Sequence, residues 1–130
     1  MRTIAPRGRH HWFGVIVLVA VLLQGVVADA TAHAVLERAE PRAGSRVRTP
    51  PTEVKLWFTE SLEPAFSTVR VLDRQGRHVD RADVRVDAAN PALLRVSLPP
   101  LDAGTYRVVW RVVSVDTHVS EGHFTFSFVP

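Results

Sequence analysis

From position 54 onward, apolar side chains return at every second residue, in runs cut short by proline and glycine. Val54, Leu56 and Phe58 alternate with Lys55, Trp57 and Thr59, and Val69 and Val71 follow in the same rhythm. Leu94, Val96 and Leu98 repeat it. Tyr106, Val108, Trp110 and Val112 then share one side of a long run, and Phe124, Phe126 and Phe128 share one side of the last. A period of two is the mark of strands with one buried face. Weaker signs of the same kind are Val35 alternating with Glu37, and Val84 with Val86. Breaks fall at Glu40–Gly44, Pro50-Pro51, Ser61–Phe66, Arg74-Gln75-Gly76, Asn90-Pro91 and Pro99–Gly104. With about seven short strands and no helical periodicity, the expected fold is all-β, a single antiparallel Greek-key sandwich or barrel.

The first 32 residues read differently. Arg2, Arg7 and Arg9 precede a 12-residue apolar run, Trp12 to Leu23, and the segment ends in Ala30-Thr31-Ala32. A basic start, a short apolar core and an Ala-x-Ala end make a secretory signal peptide cleaved after Ala32. The competing reading is a retained anchor, with Val26-Val27-Ala28 prolonging the run, although a span needs roughly 18 apolar residues. Residues 1–32 are therefore assigned to a cleaved leader and 33–130 to one exported domain. Those 98 residues suffice for one small core.

Composition removes several function classes. Residues 33–130 carry thirteen basic and twelve acidic side chains, with the arginines spread along the chain among acids. A nucleic-acid binder would gather them on one element, so no nucleic-acid partner is expected. There is no cysteine, which excludes thiolate zinc, iron–sulfur and blue-copper centres. Met1 is the sole methionine and leaves with the leader. Residues 33–130 thus have no soft ligand for Cu(I).

Cleavage after Ala32 would make His33 the first residue. Its free amine and ring Nδ1 could then close a six-membered chelate on one metal ion, which no internal histidine can do. Asp116 and His118 lie two apart and point to one side if their segment is extended. Amine, two imidazoles and one carboxylate form a tetragonal N/O set that favours Cu(II). These donors bind only when unprotonated, so affinity should fall with pH. Glu60, on the side of Phe58 by parity, is a candidate second carboxylate or an acceptor for a ring N–H; its plain reading is a surface acid. Trp57 and Trp110 read as core or near-core aromatics. His78 and His123 read as surface histidines, with a weak secondary site as the alternative. Ser114, Asp116 and His118 lie too close in sequence for a nucleophilic relay, and no G-x-S-x-G, phosphate loop or H-E-x-x-H occurs.

The stretches HAVLERAEPRAGSRV, VKLWFTESLEPAFS and GTYRVVWRVVSVDTHVSEGHFTFSF resemble the CopC (PcoC) family of periplasmic copper-resistance proteins. The resemblance implies a seven-stranded Greek-key barrel, cupredoxin-like or immunoglobulin-like, that holds Cu(II). It places the N-terminal histidine at His33, the D-x-H pair at Asp116 and His118, and the acid after the F-[ST] step at Glu60. Two departures stand out. The methionine-rich Cu(I) loop of some members is absent, and Trp57 stands where some carry a histidine. One Cu(II) site remains.

The expected function is a monomeric, soluble, periplasmic Cu(II) carrier or buffer rather than an enzyme, handing its ion to a CopD-type inner-membrane importer. Two other classes compete. A redox copper enzyme would also use a histidine chelating through its own amine, but 98 residues leave little substrate face and Asp116 fills a position that oxygen chemistry prefers open. A metal-free immunoglobulin-like interaction module would show no thermal stabilisation by Cu(II).

Overall fold

The computed structural model describes residues 33–130; the expected leader, residues 1–32, lies outside the described residues. Eight strands occur: β1 (Leu36–Glu40), β2 (Arg46–Val47), β3 (Glu53–Phe58), β4 (Thr68–Leu72), β5 (Arg85–Val86), β6 (Leu93–Ser97), β7 (Gly104–Val113) and β8 (Val119–Phe128). They form two four-stranded sheets, ordered β1-β3-β6-β5 and β2-β8-β7-β4. The chain passes repeatedly from one sheet to the other, so the fold is the all-β sandwich that the alternation implies. A single 3₁₀ turn, Pro64–Phe66, fills the irregular stretch between β3 and β4.

Alternation decides which side chains meet between the sheets. Val54, Leu56 and Phe58 of β3, with Leu94 and Val96 of the neighbouring β6, face Val69 and Val71 of β4, Val108 and Val112 of β7, and Phe126 and Phe128 of β8 in one cluster. All of these are buried. Tyr106 stacks on Phe126 with ring centroids 5.5 Å apart, and its hydroxyl donates to the Asp102 carbonyl at 2.6 Å. That bond, from the start of a strand to the backbone just upstream, is the tyrosine corner of Greek-key sandwiches. Burial pushes the Tyr106 hydroxyl pKa up, as do the charges of Asp102 and Asp73.

Three expectations need correction. The first strand does not alternate as Val35/Glu37: a bulge shifts its pairing with β3 between Leu36 and Arg38. Ala34 and Ala39 are therefore the buried residues, while Val35 is 57% exposed. The sandwich is not wholly antiparallel, since the two-residue β2 runs parallel to β8. Two residues are too few to show a period. Trp57 is not a core aromatic either; it lies on the outer face of its sheet, with the Arg38 guanidinium 4.3 Å over its ring.

Trp110 does face inward, edge-on to Phe58 at 5.2 Å, and its cross-strand partner is Gly122. A Cβ at Gly122 would lie 2.5 Å from Trp110 Cζ2 and 2.9 Å from Cε2. The ring occupies the space a side chain would need, which explains a glycine inside a strand. Gly122→Ala should lower unfolding stability by about 1–3 kcal/mol through overpacking and shift tryptophan fluorescence. An unchanged denaturation midpoint would show that the ring can move aside freely.

The outer face of the first sheet is an ion-pair network. Arg95 grips both oxygens of Glu53, at 2.8 and 2.9 Å, and Asp87 at 2.7 Å. Lys55 and Arg85 also reach Glu53. Desolvation pushes the Glu53 carboxyl up, yet the hydrogen bonds from Arg95 and Lys55 together hold it below the usual range. Arg95 first, and backbone amides after it, hold Asp87 down likewise. A carboxylate with a lowered folded pKa stabilises above its unfolded value, and that stability is lost as pH falls through the folded value. Stability should therefore decline as pH drops through the ordinary values of 4.5 and 3.8, and Glu53→Gln should flatten that limb. Acid titration followed by circular dichroism measures it; an unaltered acid limb in the variant would remove Glu53 from the account.

Candidate metal centre

β7 and β8 are joined by a five-residue loop, Ser114–His118, closed by Ser114 N donating to the His118 carbonyl at 2.9 Å and Thr117 N donating to the Ser114 carbonyl at 2.8 Å. The segment is a tight turn, not the extended strand on which same-side geometry was expected. Thr117 sits at φ 73°, a left-handed conformation that costs a β-branched residue about 1–3 kcal/mol. Asp116 and His118 converge all the same, because the turn folds one back on the other: His118 Nδ1 lies 3.1 Å from Asp116 Oδ1.

Ser114 organises this turn from below. It is fully buried, and its hydroxyl donates a short hydrogen bond to Asp116 Oδ1. That bond first, and His118 second, hold the Asp116 carboxyl below its ordinary range. With its proton committed and its oxygen inaccessible, Ser114 is no nucleophile. In the sequence Ser114 stands only as a rejected nucleophile; its positioning role depends on the folded turn. A serine two residues before an aspartate at a hairpin end was the available signal.

His33 arrives from the other sheet. Thr59, just past β3, donates its amide to the Val35 carbonyl at 2.9 Å, and its Oγ1 accepts from Val35 N at 2.9 Å. The same hydroxyl lies 3.4 Å from the His33 carbonyl. This clamp brings the exposed His33 ring to 5.0 Å from the His118 ring, in an edge-on arrangement. His118 Nδ1 is buried and, despite its closeness to Asp116, meets no hydrogen-bond geometry. First-row metal bonds to His nitrogen and carboxylate oxygen are roughly 2.0–2.2 Å, so two at a right angle put their donors about 2.8–3.1 Å apart. The Asp116–His118 spacing matches that interval.

Glu60 stands beside Thr59 on the bend that ends β3, half-buried. Parity with Phe58 does not extend to it, because the strand stops at Phe58. No hydrogen bond or ion pair joins Glu60 to Asp116 or His118 among the described residues, and these contain no group of three or more His, Asp or Glu side chains gathered for a metal. The structure thus pairs His33 with His118 and His118 with Asp116, and leaves Glu60 outside both pairs. His78 and His123 are exposed, on the outer face of the second sheet.

The family model for the CopC domain matches residues 36–129. This chain belongs to the CopC family. CopC relatives include copper resistance protein C of Escherichia coli, 36% identical over 118 residues that cover 85% of this chain and 93% of that protein. Among solved structures, CopC from Methylosinus trichosporium OB3b superposes with a TM-score of 0.67 at 36% identity, covering 75% of this chain and 95% of its own. PcoC, described as a methionine-rich copper resistance protein from Escherichia coli, gives 0.67 and 36%, covering 75% of this chain and all of its own. This CopC chain has one methionine, at position 1.

Proposed function

We propose that residues 33–130 bind one Cu(II) ion as cargo in the periplasm, after cleavage behind Ala32, and so serve copper resistance or homeostasis as a carrier or buffer rather than an enzyme. The amine and Nδ1 of His33, an imidazole nitrogen of His118 and the carboxylate of Asp116 are the donors, with Glu60 as a further carboxylate or as an acceptor for a ring N–H. The observation that carries this reading is the approach of His33 to His118 at 5.0 Å with Asp116 3.1 Å from the latter. Copper-resistance proteins among the relatives support the choice of metal. So does the nitrogen-rich donor set, completed by a carboxylate and free of sulfur, which suits the oxidised ion. No helix among the described residues is long and apolar enough to cross a membrane, and delivery to a CopD-type importer fits such a carrier.

Cu(II) titration of the exported form with His118→Ala and Asp116→Asn tests the assignment. His118→Ala should weaken binding by about 100-fold or more, and Asp116→Asn by about 10–100-fold. Equal affinity in both variants and the parent would place the metal elsewhere. The same series with Glu60→Gln decides whether that acid belongs to the site.

A further inference from the structure

The two outer sheet faces are charged in different ways. On the β1-β3-β6-β5 face, Arg38 pairs with Glu40, and Lys55, Arg85 and Arg95 share Glu53, Asp83 and Asp87. Every cation there has an anion within 4 Å. On the β2-β8-β7-β4 face, register puts Arg70, Val109 and His123 in one row, with Thr68, Arg111 and Glu121 on one side of it and Leu72, Arg107 and Thr125 on the other. Arg46 joins at Ser127, and His78 at Leu72. None of Arg46, Arg70, Arg107 and Arg111 makes an ion pair among the described residues. Arg70 instead has His78 Nε2 at 3.5 Å. Glu121, the acid of this face, stands opposite Arg111 without closing a pair, and Asp80 at the β4 edge is committed to the Val71 and Ala82 amides.

In a domain of nearly balanced charge, this leaves one face carrying four unneutralised guanidinium groups, with Arg70, Arg107 and Arg111 around Val109 and Arg46 at the far edge beside Ser127. A shallow groove of about 590 Å³ crosses it, lined by Thr68, Arg70, Val109, Arg111, Glu121 and His123. We infer that this face docks an extended acidic segment of a partner protein, its carboxylates held by Arg70, Arg107 and Arg111. Guanidinium forks suit carboxylates. Arg107 and Arg111 stand about 13 Å apart along the strand, a span that alternate side chains of an extended peptide cover. A bilayer is the poorer occupant, because the apolar side chains within these rows, Leu72 and Val109, are half-buried, and the one exposed valine of the face, Val119, stands at its β7–β8 end beyond the Arg111–Glu121 row. The other exposed ones, Val35, Phe66 and Val115, belong to the segments around the His33–His118 end, and Val129 follows β8. A partner on this face would leave the β7–β8 tip uncovered. The inference does not depend on copper.

The test is amide NMR mapping on the compact unit, residues 33–130, whose core and sheets are complete within it, with a synthetic peptide alternating Glu and Ser as probe. Vesicles containing phosphatidylglycerol are the second arm. Shifts should concentrate on outward positions of β4, β7 and β8, and affinity should fall about tenfold or more as salt rises and screens the contacts. The triple variant Arg70→Gln/Arg107→Gln/Arg111→Gln, checked for unchanged melting, should lose the peptide; Arg38→Gln/Arg85→Gln on the opposite face should keep it. Absence of peptide binding, shifts spread over both faces, or binding to vesicles but not to peptide would each overturn the inference.

Discussion

Acetylating the α-amine of His33 in the cleaved form should weaken Cu(II) binding about 10²–10⁴-fold. The addition leaves every side chain in place and converts one primary amine into an amide. In the free form, the amine and Nδ1 sit on one residue, so binding through one nitrogen presents the other at a high effective concentration. Tethering of this kind is worth about 10²–10⁴ without any new contact. The acylated nitrogen has no amine lone pair to give and no neighbouring amine to anchor the metal, so the chelate opens and Cu(II) must rely on His118, Asp116 and a monodentate His33 ring. Competition against a calibrated chelator measures the change. Thermal unfolding separates it from misfolding, since the acetylated form should melt with the parent when both lack copper and separate from it when copper is added. Equal affinities would sink the terminal-amine site and with it the need for cleavage after Ala32. His118→Ala would then show whether an internal-histidine site remains.

What the sequence disclosed of this arrangement follows from how local each determinant is. β3, β7 and β8 were legible because their inward residues repeat every second position for six to ten residues. β1 was misread because a bulge breaks that repeat, and β2 escaped because two residues carry no period. Asp116 and His118 were legible as a spaced pair of ligand types, yet the reason they converge was not. The turn is set by Thr117 in a left-handed conformation and by the buried Ser114 hydroxyl, neither of which hydropathy records. The network around Glu53 and Arg95 joins residues 42 apart in the chain, and so do the tie of Thr59 to Val35 and the nesting of Trp110 over Gly122 depend on tertiary pairing. Such contacts become visible only once register is known. The bare guanidinium face is the same lesson in charge: an even sprinkling of arginines along the chain folds into one paired face and one unpaired face.

Phe126→Ala should remove about 3–5 kcal/mol of stability. Phe126 is 1% exposed, the largest of the fully buried side chains, and stacks on Tyr106. Its loss leaves a cavity between two sheets whose neighbours are held by ladder hydrogen bonds and cannot collapse inward. For a domain of this size, total stability of about 5–15 kcal/mol is usual, and no disulfide is available to limit the unfolded chain. A shift of about 4–8 °C per kcal/mol puts the melting point roughly 12–40 °C lower. Because the cavity opens away from the β7–β8 turn, the variant should still bind Cu(II), and a ligand at about 1,000 times its dissociation constant returns about 4 kcal/mol. The copper-loaded variant should then melt near the copper-free parent. A loss under about 1 kcal/mol would mean the sheets are not packed on Phe126. A full loss with no recovery in copper would mean instead that the His33–His118 approach depends on the packing of the core beneath it, so that the site and the sandwich form one cooperative unit.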